Sequence, residues 1–536
     1  MMANRSQSVE LSASLRALAV PELLMLVCSL LDRKDSAACL RMSRRTFAAV
    51  ASVVWEDVDL KPVLLLIPGM QVTTDNTWKS EVQLKFEFPP TVDLARFEVY
   101  RSFVKAVSTA IPYAITFPKE WPDVPQPLLP NLRSIVINTF GWVDDPYVDW
   151  VPRLLSPGLK EFKMCSIPLK KSAGCDVGDH ENAWINPSKC MELVDAISQV
   201  CPIIETLEIF ANEEDEEDDR TEYTAICEKI AGLHSLRSLS FGGAEADQLL
   251  FHAFGQHPCL ESLTLASDNS QTLPDSGSPV TLSDESFPAL QHLTLRGLNP
   301  RIITRVYNSA QLFRHIISAR ISYEDLSYDG CESNNLRSAY TMQCFSHGCS
   351  RLTDLTILTT GNGGFFRFFR HFIPIFKRLP LRRLELCCVD LNPKLDSYED
   401  GLEEAGLEEN DPEVTWREFL TALPYIEELD LNNSLDIQDL VVFGELLPKL
   451  RYFAPREFRL DDSKNTSEVD TSSIATQPIV ISAYEYPQLR YSDEDIPDIA
   501  SIWPNAKFRA FRNEEQERRT ESQLNEAIQA LRQKEQ

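Results

Sequence analysis

A glycine-rich stretch is the first candidate in this sequence for a phosphate-binding loop. TTGNGGFFRFF, from Thr359 to Phe369, stands between a strand-like and a helix-like segment, where a phosphate-binding loop would lie. A dinucleotide loop needs glycine at all three positions of G-x-G-x-x-G, because the third glycine lets the helix pack closely. Gly361 and Gly363 match, but Phe366 occupies the third position. The pattern therefore favours an ordinary turn over a nucleotide site.

Four soft metal ligands occur in one stretch of the sequence, at Cys165, Cys175, His180 and Cys190. Zinc prefers thiolate and imidazole ligands, but compact zinc modules space them in close pairs. The separations here are wide, so we expect unconnected thiols and neither a metal nor another cofactor. The sequence has no G-x-S-x-G elbow and no H-E-x-x-H helix. We therefore predict that the chain is not an enzyme.

The composition is that of an acidic chain with ordinary hydrophobicity. The 536 residues have a formal net charge of -28, a pI near 4.8 and 43% hydrophobic residues. Binding to a nucleic-acid backbone or an anionic membrane needs clustered Lys and Arg, so neither partner is expected. The first twenty residues lack the apolar core of a signal peptide, and VLLLI at Val63–Ile67 is too short to span a membrane. We expect a cytoplasmic or nuclear protein with reduced cysteines.

The front of the chain has the apolar spacing of short helices. Apolar residues recur at helical intervals from Val20 to Leu31 and from Ala38 to Val54, on either side of the polar segment DRKD at Asp32–Asp35. A unit of about forty residues rarely covers its own apolar surface. Two interpretations follow: the helices cap the next domain, or they bind another protein through the apolar side chains left over.

Four segments at the front follow one known pattern in order: VPELL at Val20–Leu24, LLDRKD at Leu30–Asp35, MSRRTF at Met42–Phe47 and the pair Val54-Trp55. This part of the chain resembles the F-box, the helical motif by which substrate adaptors join cullin–RING ubiquitin ligases. Its continuation WEDVDLKPVLLLIPG resembles fungal members of that family. The resemblance implies a three-helix module that binds the Skp-family subunit of the ligase. We assign the contacts with that subunit to Val20, Pro21, Leu24, Val27, Leu31 and Trp55.

A second pattern recurs through most of the remaining chain. A proline or small turn residue is followed by apolar residues two, five and seven places later, as in PNLRSIVI, PCLESLTL and PALQHLTL. This spacing puts the last two apolar residues on one side of a strand. The first apolar residues are Leu132, Leu159, Ile204, Leu236, Leu260, Leu290, Leu352, Leu381, Ile426 and Leu450. The wide gap after Leu290 predicts another strand near Ser318–Leu326, and YPQLRYS and WPNAKFRAF predict two late repeats.

Helix-like segments such as CMELVDAISQVC and TWREFLTAL alternate with these strands. A strand and a helix repeated every ~20–30 residues is the leucine-rich-repeat signature, and the chain resembles irregular members of that family. The predicted fold is α/β: an N-terminal three-helix F-box-like module, then an irregular leucine-rich-repeat solenoid with parallel strands inside and helices outside. A doubly wound α/β domain, which also alternates strands and helices, is the alternative.

The predicted organisation has five parts. They are an N-terminal tail (1–17), the F-box-like module (18–60), a linker with the first irregular repeats (61–126), the solenoid (127–512) and a polar C-terminal helix or tail (513–536). Within the linker, Ala95–Ala110 has the spacing of an amphipathic helix. Acidic runs at 212–219 and 396–413 are expected to be solvated loops, or else an acidic rim for a basic substrate.

Residues between the strand leucines are the candidate concave surface of the solenoid, because repeat proteins commonly bind partners there. These residues are Glu208, Thr264, Thr294, Arg296, Thr356, Glu385 and Asp430. We expect this surface to meet a protein, since the mixed composition matches no small ligand.

Together these features predict a non-enzymatic substrate-recognition adaptor of an SCF-type E3 ubiquitin ligase. The F-box-like module would bind the Skp-family subunit, and the repeats would bind an unidentified protein target. The alternative is a freestanding leucine-rich-repeat scaffold for protein interactions, in which the N-terminal helices act as a cap. Exposure of the apolar residues from Val20 to Leu31 separates the two, because burial within the chain would favour the cap.

Overall fold

The fold comes from a computed structural model of the chain. It describes residues 20–75, 83–109, 111–117, 127–139, 142–143, 148–166, 183–211, 219–242, 248–267, 282–296, 310–324, 349–360, 369–387, 416–459, 479–483, 505–510, 522, 525–526, 529–530 and 533. The chain divides into two units. The first comprises Met1–Lys170 with Asp179–Gly242, and the second comprises Lys171–Gly178 with Gly243–Gln536.

Three short helices, together called the helical module, form residues 20–55 of the first unit. They are α1 (Pro21–Ser29), α2 (Arg33–Cys39) and α3 (Arg44–Val54). Pro21 begins α1, where its missing N–H costs no helical hydrogen bond. Asp32 caps α2 by accepting a hydrogen bond from Asp35 N at 2.7 Å, and Ser43 caps α3 by accepting one from Thr46 N at 3.1 Å. Polar caps therefore set where α2 and α3 begin, and proline marks the start of α1.

The helical module has a small core of its own. Leu24 and Cys28 of α1 are buried in one cluster with Ala49 and Val50 of α3. The buried Ser36 hydroxyl of α2 donates a hydrogen bond to the Cys28 carbonyl at 2.8 Å, which ties α2 to α1. Only one face of α1 contributes buried side chains to this core.

Parallel strands form most of the rest of the first unit. Its strands are β1 (Asp57–Asp59), β2 (Gln71–Asp75), β3 (Gln83–Glu87), β4 (Ala106–Ser108), β5 (Tyr113–Thr116), β6 (Ser134–Thr139), β7 (Trp142–Val143), β8 (Glu161–Ser166), β9 (Trp184–Ile185), β10 (Thr206–Ala211) and β11 (Ser238–Gly242). The parallel order β1-β4-β6-β8-β10-β11 makes the main sheet, while β2, β3 and β5 form a smaller sheet.

Helices connect several of these strands. They are α4 (Leu60–Leu64), α5 (Ala95–Tyr100), α6 (Pro187–Val200) and α7 (Asp219–Ala231), with a 3-10 turn at Val151–Arg153. Lys229 of α7 pairs with Asp195 of α6 at 2.6 Å. No helix in the described parts of the chain has both the length and the apolar character needed to cross a membrane.

The second unit adds one parallel strand at a time. Its strands are β12 (Ser262–Ala266), β13 (His292–Arg296), β14 (Ser318–Glu324), β15 (Asp354–Thr360), β16 (Arg383–Cys387), β17 (Glu428–Asp436), β18 (Tyr452–Arg459), β19 (Ile479–Ala483) and β20 (Ala506–Ala510). Its helices are α8 (Gln248–Gly255), α9 (Ala310–Phe313), α10 (Phe369–Phe376), α11 (Trp416–Thr421) and α12 (Ile437–Leu446).

Strand order in the second unit follows the sequence without exception from β12 to β20, and every pair is parallel. A doubly wound sheet reverses its order at a switch point. The observed order is therefore consistent with stacked repeats and not with the doubly wound alternative. The strand predicted near Ser318–Leu326 is present as β14, and β20 lies within WPNAKFRAF. YPQLRYS lies outside the described residues.

The apolar residues of the repeated pattern form the core of both units. Leu290, Leu293 and Leu295 are each no more than 2% exposed, and the corresponding residues of the other described repeats are similarly buried. Alternation along each strand sends these residues to one face of the sheet. The spacing L-x-x-L-x-L therefore predicted the buried face correctly.

One backbone carbonyl joins each repeat to the next. The Lys105 carbonyl accepts hydrogen bonds from Arg133 N at 2.6 Å and Ser134 N at 3.1 Å. The same double acceptance recurs at Glu56, Arg133, Lys160 and Glu205 in the first unit, and at Glu261, Gln291, Ile317, Thr353, Arg382 and Glu427 in the second. Register is thus set where each strand begins, so the loops between strands can differ in length without disturbing it.

One predicted helix is wrong in part. Only Ala95–Tyr100 of the helix predicted over Ala95–Ala110 is helical, and Ala106–Ser108 is strand β4. Pairing with β1 and β6 on both sides supplies β4 with the backbone hydrogen bonds that a helix would make internally. The parallel sheet accordingly begins at Asp57, ahead of the solenoid start predicted at residue 127.

Replacement of Gly242 tests the aromatic packing at the end of β11. A Cβ atom at Gly242 would lie 2.5 Å from Trp184 Cζ3 and 2.7 Å from Phe210 Cδ1. We expect Gly242→Ala to lower the free energy of unfolding by about 1–3 kcal/mol, because these buried rings must shift. Gly158→Ala is the matched control, since its Cβ would have no neighbour nearer than 3.8 Å. Equal urea midpoints for the two variants would contradict the described packing.

Candidate functional site

Exposed apolar side chains are concentrated in the helical module. Eleven large apolar side chains are exposed in the described residues, and seven of these lie between Val20 and Met42. Leu30 is 81% exposed and Leu26 is 59% exposed. These seven residues, the apolar row, are Val20, Leu23, Leu26, Val27, Leu30, Leu31 and Met42. Exposed apolar groups at this density mark a surface that another molecule covers.

The apolar row exists because α1 is apolar on more than one face. Leu24 and Cys28, four residues apart, are the buried residues of α1 and pack in the module core. Leu23, Val27 and Leu30 recur at intervals of four and three on another face, and they stay exposed. A helix that is apolar all round needs cover on every side. The described residues supply that cover on one side.

Charged side chains of both signs lie beside the apolar row. Arg33, Lys34 and Asp35 of α2 are exposed, and so is Arg41 in the turn that follows. An apolar centre with a polar, solvent-accessible rim is the usual anatomy of a protein–protein interface. The surface therefore has the composition of an interface as well as the exposure.

Some of the predicted contact residues are exposed, and others pack against residues of the same chain. Val20, Pro21, Val27 and Leu31 are exposed. Leu24 is only 5% exposed and packs in the module core, and its assignment as a contact residue stays a prediction. Sequence reasoning missed four members of the apolar row, Leu23, Leu26, Leu30 and Met42. A second stripe at helical spacing, Leu23-Val27-Leu30, was the signal that could have found most of them.

Trp55 and Phe47 face aromatic residues of the first unit. The Trp55 ring lies 4.7 Å from the Tyr100 ring, and the Phe47 ring lies 5.7 Å from Tyr100 and 6.4 Å from Phe103, centroid to centroid. Trp55 Nε1 is buried and has no hydrogen-bond acceptor within the described part of the chain. Trp55 thus holds α3 to the body of the unit, so its side chain is already engaged within the chain.

A row of mostly polar side chains crosses the sheet of the second unit on the side opposite the leucines, which we call the polar face. Its members in strand order from β12 to β17 are Thr264, Thr294, Arg320, Thr356, Glu385 and Asp430. Five of the seven residues predicted for the concave surface are therefore in one register row. Sequence reasoning missed Arg320, because β14 was inferred from a gap in spacing and its side chains were not assigned.

The other two predicted surface residues lie elsewhere. Arg296 is two positions further along β13 than Thr294 and is opposite Ser322. Glu208 belongs to the first unit, where it is opposite Lys163 and Ser240 on neighbouring strands. The structure therefore does not place all seven residues in one row.

Direct contacts join the acidic residues of the polar face. Thr356 Oγ1 donates a hydrogen bond to Glu385 Oε2 at 3.0 Å, and Arg383 Nη2 lies 3.2 Å from the same oxygen. Arg383 Nε lies 3.8 Å from Glu428 Oε2 on the next strand. One guanidinium group therefore bridges carboxylates on two strands, and Thr356 fixes one of them.

Burial raises the pKa of Asp354 above its ordinary value. Loss of solvent is the largest cause, and the negative charges of Glu385 and Glu428 add to it, while Arg383 acts in the opposite direction. Desolvation disfavours the charged carboxylate, and neighbouring carboxylates repel it. His292 also acts in the direction of a lower pKa, so burial decides the sign of the shift.

Two of the four candidate metal ligands, Cys165 and Cys190, lie among the described residues, and burial raises the pKa of both thiols. Cys165 Sγ donates a weak hydrogen bond to Glu208 Oε1 at 3.9 Å, and burial together with Glu208 raises the pKa of Cys165 to about 11. Burial also raises the pKa of Cys190 in α6. A protonated thiol is a poor ligand and a poor nucleophile. Within the described ranges, no three His, Cys, Asp or Glu side chains are grouped to hold a metal ion.

Several predicted features fall outside the described residues. They are Cys175, His180, the glycine stretch Gly361–Phe366 and the acidic run 396–413. The run 212–219 also lies outside except for Asp219, which begins α7.

Comparison with known proteins leaves the function to be argued from this chain's own residues. No protein-family model and no curated protein matches the sequence. Among solved structures, a Bacteroides fragilis protein determined as a structural genomics target is similar with a TM-score of 0.22 and 13% identity. The alignment covers 67% of this chain and 68% of that one.

Replacement of Asp354 by Asn tests the burial of this carboxyl group. The pKa of Asp354 is raised in the folded state. The protonated carboxyl group therefore contributes stability below its ordinary pKa of 3.8, and this contribution is lost as the pH rises through the folded-state pKa. An amide does not ionise. We expect Asp354→Asn to unfold at a higher urea concentration than wild type at pH 7, with the difference shrinking toward zero near about pH 3.5. A variant less stable than wild type at pH 7 would contradict this.

Proposed function

We propose that this chain is a substrate-recognition adaptor of an SCF-type E3 ubiquitin ligase. In this proposal the apolar row binds the Skp-family subunit of the ligase, and the polar face binds a protein target. The chain itself makes and breaks no covalent bond, because the ligase partners supply ubiquitin transfer. The F-box-like order of residues from Val20 to Trp55 supports the first part. The stacked parallel strands support the second, since such sheets commonly bind partners.

Exposure of the apolar row is the observation that carries this proposal. Burial of the residues from Val20 to Leu31 within the chain would have favoured a cap, but in α1 only Leu24 and Cys28 are buried. The exposed residues and their charged rim have the composition of a surface completed by another subunit. Truncating a buried anchor in such an interface typically costs ~2 kcal/mol or more of binding free energy.

A freestanding repeat scaffold with a helical cap is the second candidate, and the contacts of α3 favour it. Trp55 and Phe47 pack on Tyr100 and Phe103, as a cap on the first unit requires. The cap does not account for the apolar row, because Leu23, Leu26 and Leu30 are exposed. The two roles use different helices, so α3 can hold the module in place while α1 binds the subunit.

Charged substitutions in the apolar row test the adaptor proposal. We expect the double variant Val27→Asp/Leu30→Asp to lose about tenfold or more in affinity for a fungal Skp-family subunit, because each change puts a carboxylate into an apolar contact. Titration calorimetry with the full-length chain measures the affinity. Both side chains are exposed, so the helix content by circular dichroism should match wild type.

Ile203→Asp is the matched control for these substitutions. Ile203 is 41% exposed and Val27 is 43% exposed, but Ile203 lies in the turn before β10. This variant should bind the Skp-family subunit like wild type. If the double variant also binds like wild type, or if the wild-type chain binds no such subunit, the adaptor proposal is wrong and the cap is the better account.

A further inference from the structure

Charged residues on the polar face of the second unit are sorted by strand. Among the side chains that the structure describes, the charged or titratable ones on this face of β13 and β14 are His292, Arg296 and Arg320, which we call the basic end. Strands β15 to β17 carry Asp354, Arg383, Glu385, Glu428 and Asp430, which we call the acidic end. The face is therefore bipolar, although the chain as a whole is strongly acidic, with a net charge of -28.

The acidic end holds more carboxylates than cations among its described side chains. Its described positions hold four carboxylates and one guanidinium, an excess of three negative charges when all are ionised. Arg383 contacts Glu385 and Glu428, as described above. Asp354 carries a raised pKa in part because Glu385 and Glu428 are near it. Approach of another cation would relieve this repulsion.

The charges are most accessible near the start of the strands. His292, Arg320, Arg383 and Glu428 are exposed. Further along the strands the face closes, because Ser322 is 2% and Leu358 is 3% exposed. A partner would therefore lie across the strand starts, where it meets both ends of the face.

Strand spacing sets the distance between the two ends. Neighbouring strands lie ~4.8 Å apart, so the middle of the basic end, between β13 and β14, is about 12 Å from β16 at the middle of the acidic end. An extended chain advances ~3.3 Å per residue. About four residues of an extended segment would span that distance.

We propose that the polar face of the second unit binds a bipolar protein segment. Its acidic residues lie over β13 and β14, its Lys or Arg residues lie over β15 to β17, and the centres of the two groups are about four residues apart. This inference rests on the proposed function, since it states the chemistry of the target that the repeats hold. A purely basic segment would meet Arg296 and Arg320, and a purely acidic one would meet the four carboxylates, so opposite charges at the two ends set the orientation.

Synthetic peptides of equal length provide the probe. A bipolar peptide has three Glu, one neutral residue and three Lys, so that the centres of its charged groups are four residues apart; an alternating peptide has the same composition; an all-lysine peptide replaces each Glu. We expect the full-length chain to bind the labelled bipolar peptide about tenfold tighter than either of the others by fluorescence anisotropy. Added salt should weaken this binding, because the charged groups Arg320, Arg383 and Glu428 are exposed.

Single charge reversals on the face should each weaken bipolar binding about tenfold. Arg320→Glu reverses the basic end and Glu428→Lys reverses part of the acidic end; both residues are exposed, so folding is not at risk. Arg351→Glu and Glu285→Lys are the matched controls. These exposed residues lie in the turns before β15 and β13, and their variants should bind the bipolar peptide like wild type.

Equal affinity for the bipolar and alternating peptides would overturn the inference. All-lysine binding as tight as bipolar binding would also overturn it, and so would wild-type affinity in both reversed variants. Binding of the Skp-family subunit is measured on the same samples. If the chain binds the Skp-family subunit but does not prefer the bipolar peptide, only this inference is rejected. If the chain prefers the bipolar peptide but does not bind the subunit, the adaptor proposal is rejected, and the chain is a scaffold that selects bipolar segments.

Discussion

Stacking of each leucine-faced strand on the next is the interaction on which the rest of this chain depends. A single repeat cannot bury its apolar face, and the neighbouring repeats supply the cover. Leu293 shows the arrangement, because it lies between Leu263 and Ala319 in register and all three are buried. The doubly accepting carbonyl before each strand fixes this register. Everything outside the strands is then free to vary, which permits long insertions in a regular sheet.

The buried leucines stabilise the sheet, so its charged residues are not needed for stability. Ion pairs do occur where strands begin, such as Lys105 with Glu56 at 2.9 Å and Lys160 with Glu205 at 2.6 Å, but their side chains are largely exposed. Exposed pairs of this kind contribute only ~0–1 kcal/mol each. The polar face therefore does not have to stabilise the fold. Its separation into a basic and an acidic end is the basis of the proposed binding of a bipolar segment.

Different helices of the helical module pack on the rest of the first unit and carry the exposed apolar side chains. Attachment to the first unit requires aromatic contact, which α3 provides through Phe47 and Trp55. Association with another protein requires exposed apolar area, which α1 provides. Since Leu24 and Cys28 already hold α1 to α3, the exposed side chains of α1 are presented on a supported helix. Such a surface loses little conformational freedom when a partner covers it.

Much of the fold could be predicted from the sequence, because the spacing of apolar residues encodes which side chains share a face of a strand or helix. That spacing predicted the leucine core, the strand at Ser318–Glu324 and α1, but it treated DRKD as a connection although Arg33–Asp35 begin α2. It failed at Ala106–Ser108, where pairing with two distant strands overrides the local helical pattern. The candidate sites divide in the same way: Val27 and Leu31 could be proposed because they fit a motif, and Arg320 could not, because its place depends on register with β13 and β15. Residue types and their order were enough to determine the repeats and the apolar character of the helical module. Only the tertiary structure decided that Leu24 is buried while Leu30 is exposed and that opposite charges gather at the two ends of one face, because burial and cross-strand neighbours depend on residues far away in the chain.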